Sequence, residues 1–246
     1  TGYHNTALGY DSLGAATAAD YNVAIGKGAL AAATTSDFNT AVGAEALEAN
    51  TTGTNNVAIG FRSLEANTTA DNNTAIGYQA LTANTVGNQT AVGRLALKSN
   101  TTGYENTAVG SLALEDNTTG GYNVSVGVNA LSTNTTGSKN TAIGHQALYL
   151  NIAEHNTALG HNALAANTTG TYNTAVGAEC ADALTTGGQN TAVGYAALDA
   201  CTTGGQNTAM GVQALGANTA DHATAVGWQA LAGNTTGTYN TAVGCE

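Results

Sequence analysis

The sequence contains no proline, and it is poor in cations, in aromatic residues and in charge of either sign. Of its 246 residues, 5 are Lys or Arg and 16 are Asp or Glu, which gives a formal net charge of −11. The absence of proline excludes collagen and proline-rich linkers. Because phosphate binding requires a basic surface, the shortage of cations argues against nucleic acid and anionic membranes as partners. No apolar run approaches the roughly 18 residues of a transmembrane helix, so we expect no membrane insertion by this segment.

A short internal repeat covers the whole chain. Each repeat contains a run based on Asn-Thr-Ala-aliphatic that ends in a glycine, which we call the landmark glycine. Eleven of the intervals between successive landmarks are 17 residues long and three are 16 residues long. The fifteen landmark glycines are Gly9, Gly26, Gly43, Gly60, Gly77, Gly93, Gly110, Gly127, Gly144, Gly160, Gly177, Gly194, Gly211, Gly227 and Gly244.

A period this short does not accommodate a pair of helices, which needs about 33 residues or more. It fits one coil of a β-solenoid, in which each coil holds two short strands and two turns. The sequence therefore predicts an all-β fold, a parallel β-solenoid or β-roll of about 14 coils of 16–17 residues. We expect residues 1–246 to form one continuous repeat array and to be a segment of a longer chain.

The alternation of side chains along a strand predicts which residues face the interior. The residue one before the landmark is always aliphatic, and the residue three before it is Thr or Val. Both are predicted to face inward, together with a leucine four residues after the landmark. That leucine is missing once, at Ala181, where we expect Leu184 to compensate. Asparagine recurs four before and seven after the landmark, and we expect these amides to bond one another from coil to coil.

The residue two before the landmark is alanine in fourteen of the fifteen repeats. Alternation places it opposite the predicted interior, yet it does not vary as a solvent-exposed position should. We therefore predict that something packs against it, either a neighbouring chain or a second layer of the same coil. The candidate residues for packing between chains are Ala7, Ala24, Ala41, Ala58, Ala75, Ala91, Ala108, Ser125, Ala142, Ala158, Ala175, Ala192, Ala209, Ala225 and Ala242.

The run Asn-Val-Ala-Ile-Gly at 22–26 and 56–60, followed by Ala-Leu or Ser-Leu, resembles the repeat of trimeric autotransporter adhesin heads. It is also similar to the repeats upstream of the endosialidase-type chaperone domain in phage tail fibres and related bacterial surface proteins. The resemblance covers essentially every coil. It implies a left-handed parallel β-roll that is trimeric, displayed on a cell or virion, and used for attachment.

Aromatic residues gather at two positions of the repeat. Tyr10, Phe61, Tyr78, Tyr195 and Trp228 directly follow a landmark glycine, and a second group lies five residues before it. Exposed rings beside Asn and Gln can stack on sugars or contact a protein partner. The first group therefore supplies the candidate ligand-facing aromatics, with surface glycans as a candidate partner. The alternative interpretation is that the rings shield the turns.

The sequence has no His-Glu-x-x-His, Gly-x-Ser-x-Gly or P-loop motif. We therefore predict no catalytic, cofactor-binding or metal-binding residues. His145 and His161 follow landmarks in successive coils and could form a surface metal clip with His155, although chance occupancy of an exposed position is the simpler interpretation. The cysteines lie at different positions of the coil, which predicts buried or interchain thiols rather than a disulfide within the chain: Cys180, Cys201 and Cys245.

Full-length repetition without a catalytic motif favours a non-catalytic structural protein. We predict a rod of an extracellular fibre or filament, similar to an adhesin or tail fibre, on the cell surface or virion. Its partners would be copies of itself, in a trimer or a filament, associating laterally or end to end. The alternative is a glycan- or ice-binding solenoid that uses exposed aromatic or threonine ladders. An enzyme built on a solenoid is the least favoured class, because no interval between landmarks is long enough to hold a cleft-forming insertion.

Overall fold

A computed structural model describes residues 2–245 of the chain. The chain divides into two compact units, with the boundary between Asn123 and Val124. The strands of the first unit are β1 (Thr6–Leu8), β2 (Val23–Ile25), β3 (Thr40–Val42), β4 (Val57–Ile59), β5 (Thr74–Ile76), β6 (Thr90–Val92) and β7 (Thr107–Val109). The strands of the second unit are β8 (Val124–Val126), β9 (Thr141–Ile143), β10 (Thr157–Leu159), β11 (Thr174–Val176), β12 (Thr191–Val193), β13 (Thr208–Met210), β14 (Thr224–Val226) and β15 (Thr241–Val243).

Within each unit, every strand pairs in parallel with the next strand along the chain, and equivalent residues stand side by side. In the first unit Ala41 pairs with Ala58, and in the second unit Ala175 pairs with Ala192. The predicted fold class is therefore confirmed as an all-β parallel β-solenoid of about 14 coils. The expectation of two short strands in each coil is wrong, because each coil contains one strand of three residues and the rest of it consists of turns. Residues 2–245 contain no helix, and accordingly none that could cross a membrane.

The landmark glycine ends each strand because no other residue fits there. Gly43 has φ = 137°, and a Cβ on it would lie 2.5 Å from the carbonyl oxygen of Gly60 in the next coil. In the second unit Gly194 has the same φ, and its Cβ would lie 2.5 Å from the carbonyl oxygen of Gly211. The left-handed conformation and the backbone contact both require glycine.

Three further positions per coil take left-handed conformations, and apart from Gly28 they are occupied by residues with side chains. In the third coil they are Phe38 (φ 58°), Glu45 (φ 59°) and Leu47 (φ 54°). Each such residue costs on the order of 1–2 kcal/mol. The side chain of Leu47 is completely buried, which contributes about 1.5–3 kcal/mol and offsets the cost at that corner.

The predicted orientation of the strands is wrong. The alanine side chains face the interior, and the Thr and aliphatic side chains on either side of them face outward. The residues with no exposed surface are Ala24, Ala41, Ala58, Ala75, Ala91, Ala108, Ser125, Ala142, Ala158, Ala175, Ala192, Ala209 and Ala225. In the first and last strands, Ala7 is exposed and Ala242 is half-buried. The buried alanines contact their own coil and its neighbours, so they do not form a surface between chains.

The physical reason is the narrow interior of the coil. Except at Ala181, a leucine four residues after the landmark fills most of it, as Leu47 and Leu198 do with no exposed surface. The residue before that leucine is also a buried small residue, such as Ala46 or Ala197. Only a small side chain, that of alanine or in one coil Ser125, fits opposite them, so the strand turns this residue inward and its bulky side chains outward. Packing within the chain therefore explains why this position is alanine in nearly every repeat.

Two ladders of buried asparagines stack the coils on one another. In the ladder four residues before the landmark, the backbone N–H of Asn39 donates to Asn22 Oδ1 (2.9 Å), while Asn39 Nδ2 donates to the carbonyl of Gly53 (2.9 Å). In the ladder seven residues after it, Asn67 Nδ2 donates to Asn50 Oδ1 (2.9 Å). The predicted asparagine ladders are therefore confirmed.

The second unit contains one repeat that exchanges two interior residues. Ala181 occupies the usual leucine position, and Leu184 occupies a position of the asparagine ladder with its side chain fully buried. The predicted compensation is therefore confirmed, because the leucine volume is retained inside the same coil. In the preceding coil, Asn167 Oδ1 is buried without a hydrogen-bond partner, and the adjacent leucine offers no amide to it.

The inward alanine yields a test of the fold. Ala175→Leu should destabilise the protein by about 1–3 kcal/mol because the interior has no space for a larger side chain. The neighbouring change Thr174→Val should have little effect, because Thr174 faces outward and valine occurs naturally at this position in other coils. Denaturant midpoints of the two variants check the orientation. The reverse order of effects would contradict it.

Candidate functional site

The outward side chains of the strands form a surface that we call the sheet face. It consists of the residues three before and one before each landmark glycine. The aliphatic members are partly exposed, for example Ile59 (38%), Leu159 (45%) and Met210 (44%). No member of the sheet face is charged. Because exposed apolar patches on folded proteins are often interaction sites, the sheet face is a candidate site.

The threonines of the sheet face have free hydroxyl groups. Across residues 2–245, none of these strand threonines makes a side-chain hydrogen bond, whereas turn threonines do. Thr185 Oγ1, for example, donates to the carbonyl of Thr202 (2.8 Å). Strands β9 to β15 carry seven consecutive threonines. At a strand spacing of about 4.8 Å, they form a regular line of hydroxyls beside a line of aliphatic groups.

The candidate aromatics are exposed, but the structure brings only two of them together. Phe61 and Tyr78 stack with ring centroids 5.7 Å apart, and the guanidinium of Arg62 lies 5.1 Å from the centroid of the Phe61 ring. Interaction with the Glu179 side chain raises the pKa of Tyr195. Tyr10 and Trp228 are exposed and make no ring contact with another aromatic among the described residues.

The aromatics five residues before the landmark stack on one another between coils. Tyr21 lies between His4 (4.8 Å) and Phe38 (5.2 Å), and His155 stacks on Tyr172 (4.9 Å). These faces are covered by protein rings. The arrangement favours the interpretation that this group shields the turns.

The histidines proposed as a metal clip also stack. The His145 and His161 rings lie 5.3 Å apart at an interplanar angle of 11°, and His155 is stacked on a tyrosine. In residues 2–245, the one group of three potential ligands close enough to hold a metal ion is Glu45, Glu48 and Glu65.

The guanidinium of Arg62 lies against this group of glutamates. Arg62 Nε is 2.6 Å from Glu45 Oε2 and 3.6 Å from Glu65 Oε1. Burial raises the pKa of Glu65 in spite of the arginine. The side chains therefore form an ion-pair network on the turn surface.

The second unit has acids at the same repeat positions without an arginine. Glu179, Asp182 and Asp199 take the places of Glu45, Glu48 and Glu65, and Ala196 stands where the first unit has Arg62. Burial raises the pKa of Asp182, and the charge of Asp199 raises it further. Burial likewise raises the pKa of Asp199, with a further contribution from Glu179. Like charges stacked from coil to coil are thus uncompensated here.

A shallow groove lies beside these acids, and we call it the glutamine groove. It has a volume of about 390 Å³ and is lined by Asp199, Ala200, Gln213, Gly216, Ala217, Gln229 and Ala232. Gln229 Nε2 donates to Gln213 Oε1 (2.7 Å), so the two amides hold each other in place. Small residues five and six after the landmark leave the groove open. Sequence reasoning missed it, although the recurrence of Gln two after the landmark beside Gly216 was the available signal.

Two of the cysteines are buried. Cys180 and Cys201 have no exposed surface, whereas Cys245 is exposed, and all three thiols are free. Burial raises the pKa of Cys180 to about 12, so its thiol is unreactive at neutral pH. The prediction of buried thiols is confirmed for these two residues.

No protein-family model, curated protein or solved structure matches the chain.

The stacked acids of the second unit lead to a pH-dependent prediction. Because their pKa values are raised in the folded protein, the folded state binds more protons than the unfolded state as pH falls towards 4. Asp182→Asn should therefore stabilise the protein at neutral pH, by less than about 1 kcal/mol because the group is largely solvated. The gain should vanish in acid. Thermal melting at several pH values measures it, with Asp116→Asn, an exposed turn residue, as control. An equal gain in both variants at neutral pH would contradict the assignment.

Proposed function

We propose that this chain is a non-catalytic structural repeat of an extracellular fibre or filament, similar to an adhesin or a tail fibre. The observation that carries the proposal is the aliphatic line of the sheet face, which is exposed in both units. The resemblance of the repeat to adhesin-head and tail-fibre repeats supports the same role. From that resemblance we also propose that the solenoid is left-handed and that it is displayed on a cell or virion.

The partner that best suits the sheet face is a second copy of this chain. A formal net charge of −11 should make copies repel one another. The sheet face carries no charged residue, so two copies can approach there with their acids held away from the contact. Burying the aliphatic line would contribute about 25 cal/mol for each Å² of apolar surface removed from water. Association through this face accounts for bulky aliphatic residues being retained on the outside of the coil.

A charge placed on the sheet face should prevent self-association. Val193→Lys should shift the protein from oligomer to monomer in sedimentation velocity, because an ammonium group would have to be buried in the contact. Thr186→Lys is the matched control, since Thr186 is an exposed turn residue and the added charge is the same. A monomeric parent protein, or equal dissociation of both variants, would refute association through this face.

Ice binding is a second candidate function, favoured by the outward orientation of the threonines. The seven threonines of β9 to β15 present free hydroxyls at a fixed repeat beside aliphatic groups. Such a surface can hold a regular layer of water molecules, as an ice surface requires. The sequence predicted that these threonines face the interior, where they could not contact ice, whereas in the structure they face outward.

Thermal hysteresis of the purified protein distinguishes the two functions. If the threonine line binds ice, freezing should be depressed below the melting point, and Thr191→Lys should reduce the gap at least several-fold. Thr186→Lys again supplies the control. An oligomeric protein without thermal hysteresis would exclude ice binding and leave the structural role.

A further inference from the structure

We propose that the glutamine groove binds a neutral saccharide. The groove is built from turn residues of three successive coils in the second unit and contains no residue of the sheet face. It is therefore a site separate from the surface proposed for self-association.

The hydrogen-bonding groups of the groove match sugar hydroxyls, which both donate and accept. The bond from Gln229 Nε2 to Gln213 Oε1 fixes the two amides. It leaves the N–H groups of Gln213 Nε2 to donate and Gln229 Oε1 to accept. The Asp199 carboxylate adds an acceptor on the same lining. Two planar amides and a carboxylate, already oriented, offer both kinds of partner within one groove.

The charge of the groove selects against an anionic ligand. No Lys, Arg or His lines it, and Asp199 is its one ionisable residue. A phosphate or a sialylated or uronic-acid sugar would meet an uncompensated carboxylate and lack a cation. A neutral sugar meets neither obstacle, and its hydroxyl groups can satisfy the carboxylate.

The small residues of the lining let a sugar ring lie close to the backbone. Gly216, Ala217 and Ala232 line the floor without a long side chain, and a Cβ added to Gly216 would lie 3.5 Å from Asp199 Oδ1. The volume of about 390 Å³ falls in the usual range of ligand sites, about 300–1,000 Å³. An open groove of this kind suits weak binding that gains strength when many copies are displayed together.

Trp228 supplies a built-in reporter of binding. It is the only tryptophan in the sequence, its side chain is exposed, and it immediately precedes Gln229 of the lining. Trp228 does not itself line the groove, so a ligand would change its surroundings through the neighbouring Gln229. Ligand binding should therefore change the tryptophan fluorescence.

The test is a titration with neutral oligosaccharides of glucose, galactose, mannose and N-acetylglucosamine, followed by saturation-transfer NMR and tryptophan fluorescence. At least one of them should bind with a millimolar dissociation constant. The double variant Gln213→Ala with Gln229→Ala should weaken binding at least tenfold, and Gly216→Val should do the same by filling the groove. Gln146→Ala is the matched control, since Gln146 occupies the same repeat position in the second unit but does not line the groove.

The proposal is overturned if none of the oligosaccharides binds. It is also overturned if Gln146→Ala weakens binding as much as the groove variants do. Thermal melting of each variant separates loss of the site from loss of the fold. The outcome is independent of the proposed structural role. The groove variants should leave the sedimentation of the protein unchanged, and Val193→Lys should leave saccharide binding unchanged.

Discussion

The constraint on which the structure depends is the hydrogen bonding of each coil to the next. The backbone N–H of Thr191, for example, donates to the carbonyl of Asn207, one residue short of a full repeat away. This bonding places every position of the repeat beside its equivalent at one strand spacing. Each side chain therefore lies next to the equivalent side chain of the adjacent coil, and a residue type can recur at one position only if two copies of it can pack side by side. Asparagine satisfies this condition inside the coil because its amide both donates and accepts. Glycine satisfies it at the corner because no Cβ fits.

The same stacking explains how charge is arranged. Aspartate and glutamate in equivalent positions repel one another, and the two units deal with that repulsion differently. The first unit inserts Arg62 among its glutamates, while the second leaves Asp182 above Asp199 without a cation. Both arrangements lie on turns. The sheet face stays free of charge, so this surface alone could be covered by another copy, or by ordered water, without burying an ion.

Sequence reasoning succeeded for features that depend on the repeat period and failed to predict which face of each strand points to the interior. The period predicted coils, parallel pairing and asparagine ladders, and the exchange between Ala181 and Leu184 followed from counting positions. The orientation of the strand came out reversed because aliphatic residues were assumed to face inward. The alternation of side chains along a strand separates two faces but does not show which of them is buried. The glutamine groove was missed because its residues come from three successive coils, with Gln213 and Gln229 sixteen positions apart, and only the winding brings them together.

The sequence by itself thus determined that the chain is a stack of near-identical coils, since a repeat of 16 or 17 residues has few ways to bury an apolar surface. Tertiary structure alone decided what is inside. Once Leu47, in its left-handed conformation, and its equivalents fill the narrow interior of each coil, the remaining volume admits only a side chain as small as that of alanine or, in one coil, Ser125. Alanine must then face inward, and the threonines and aliphatic residues are left on the surface, where any partner would meet them.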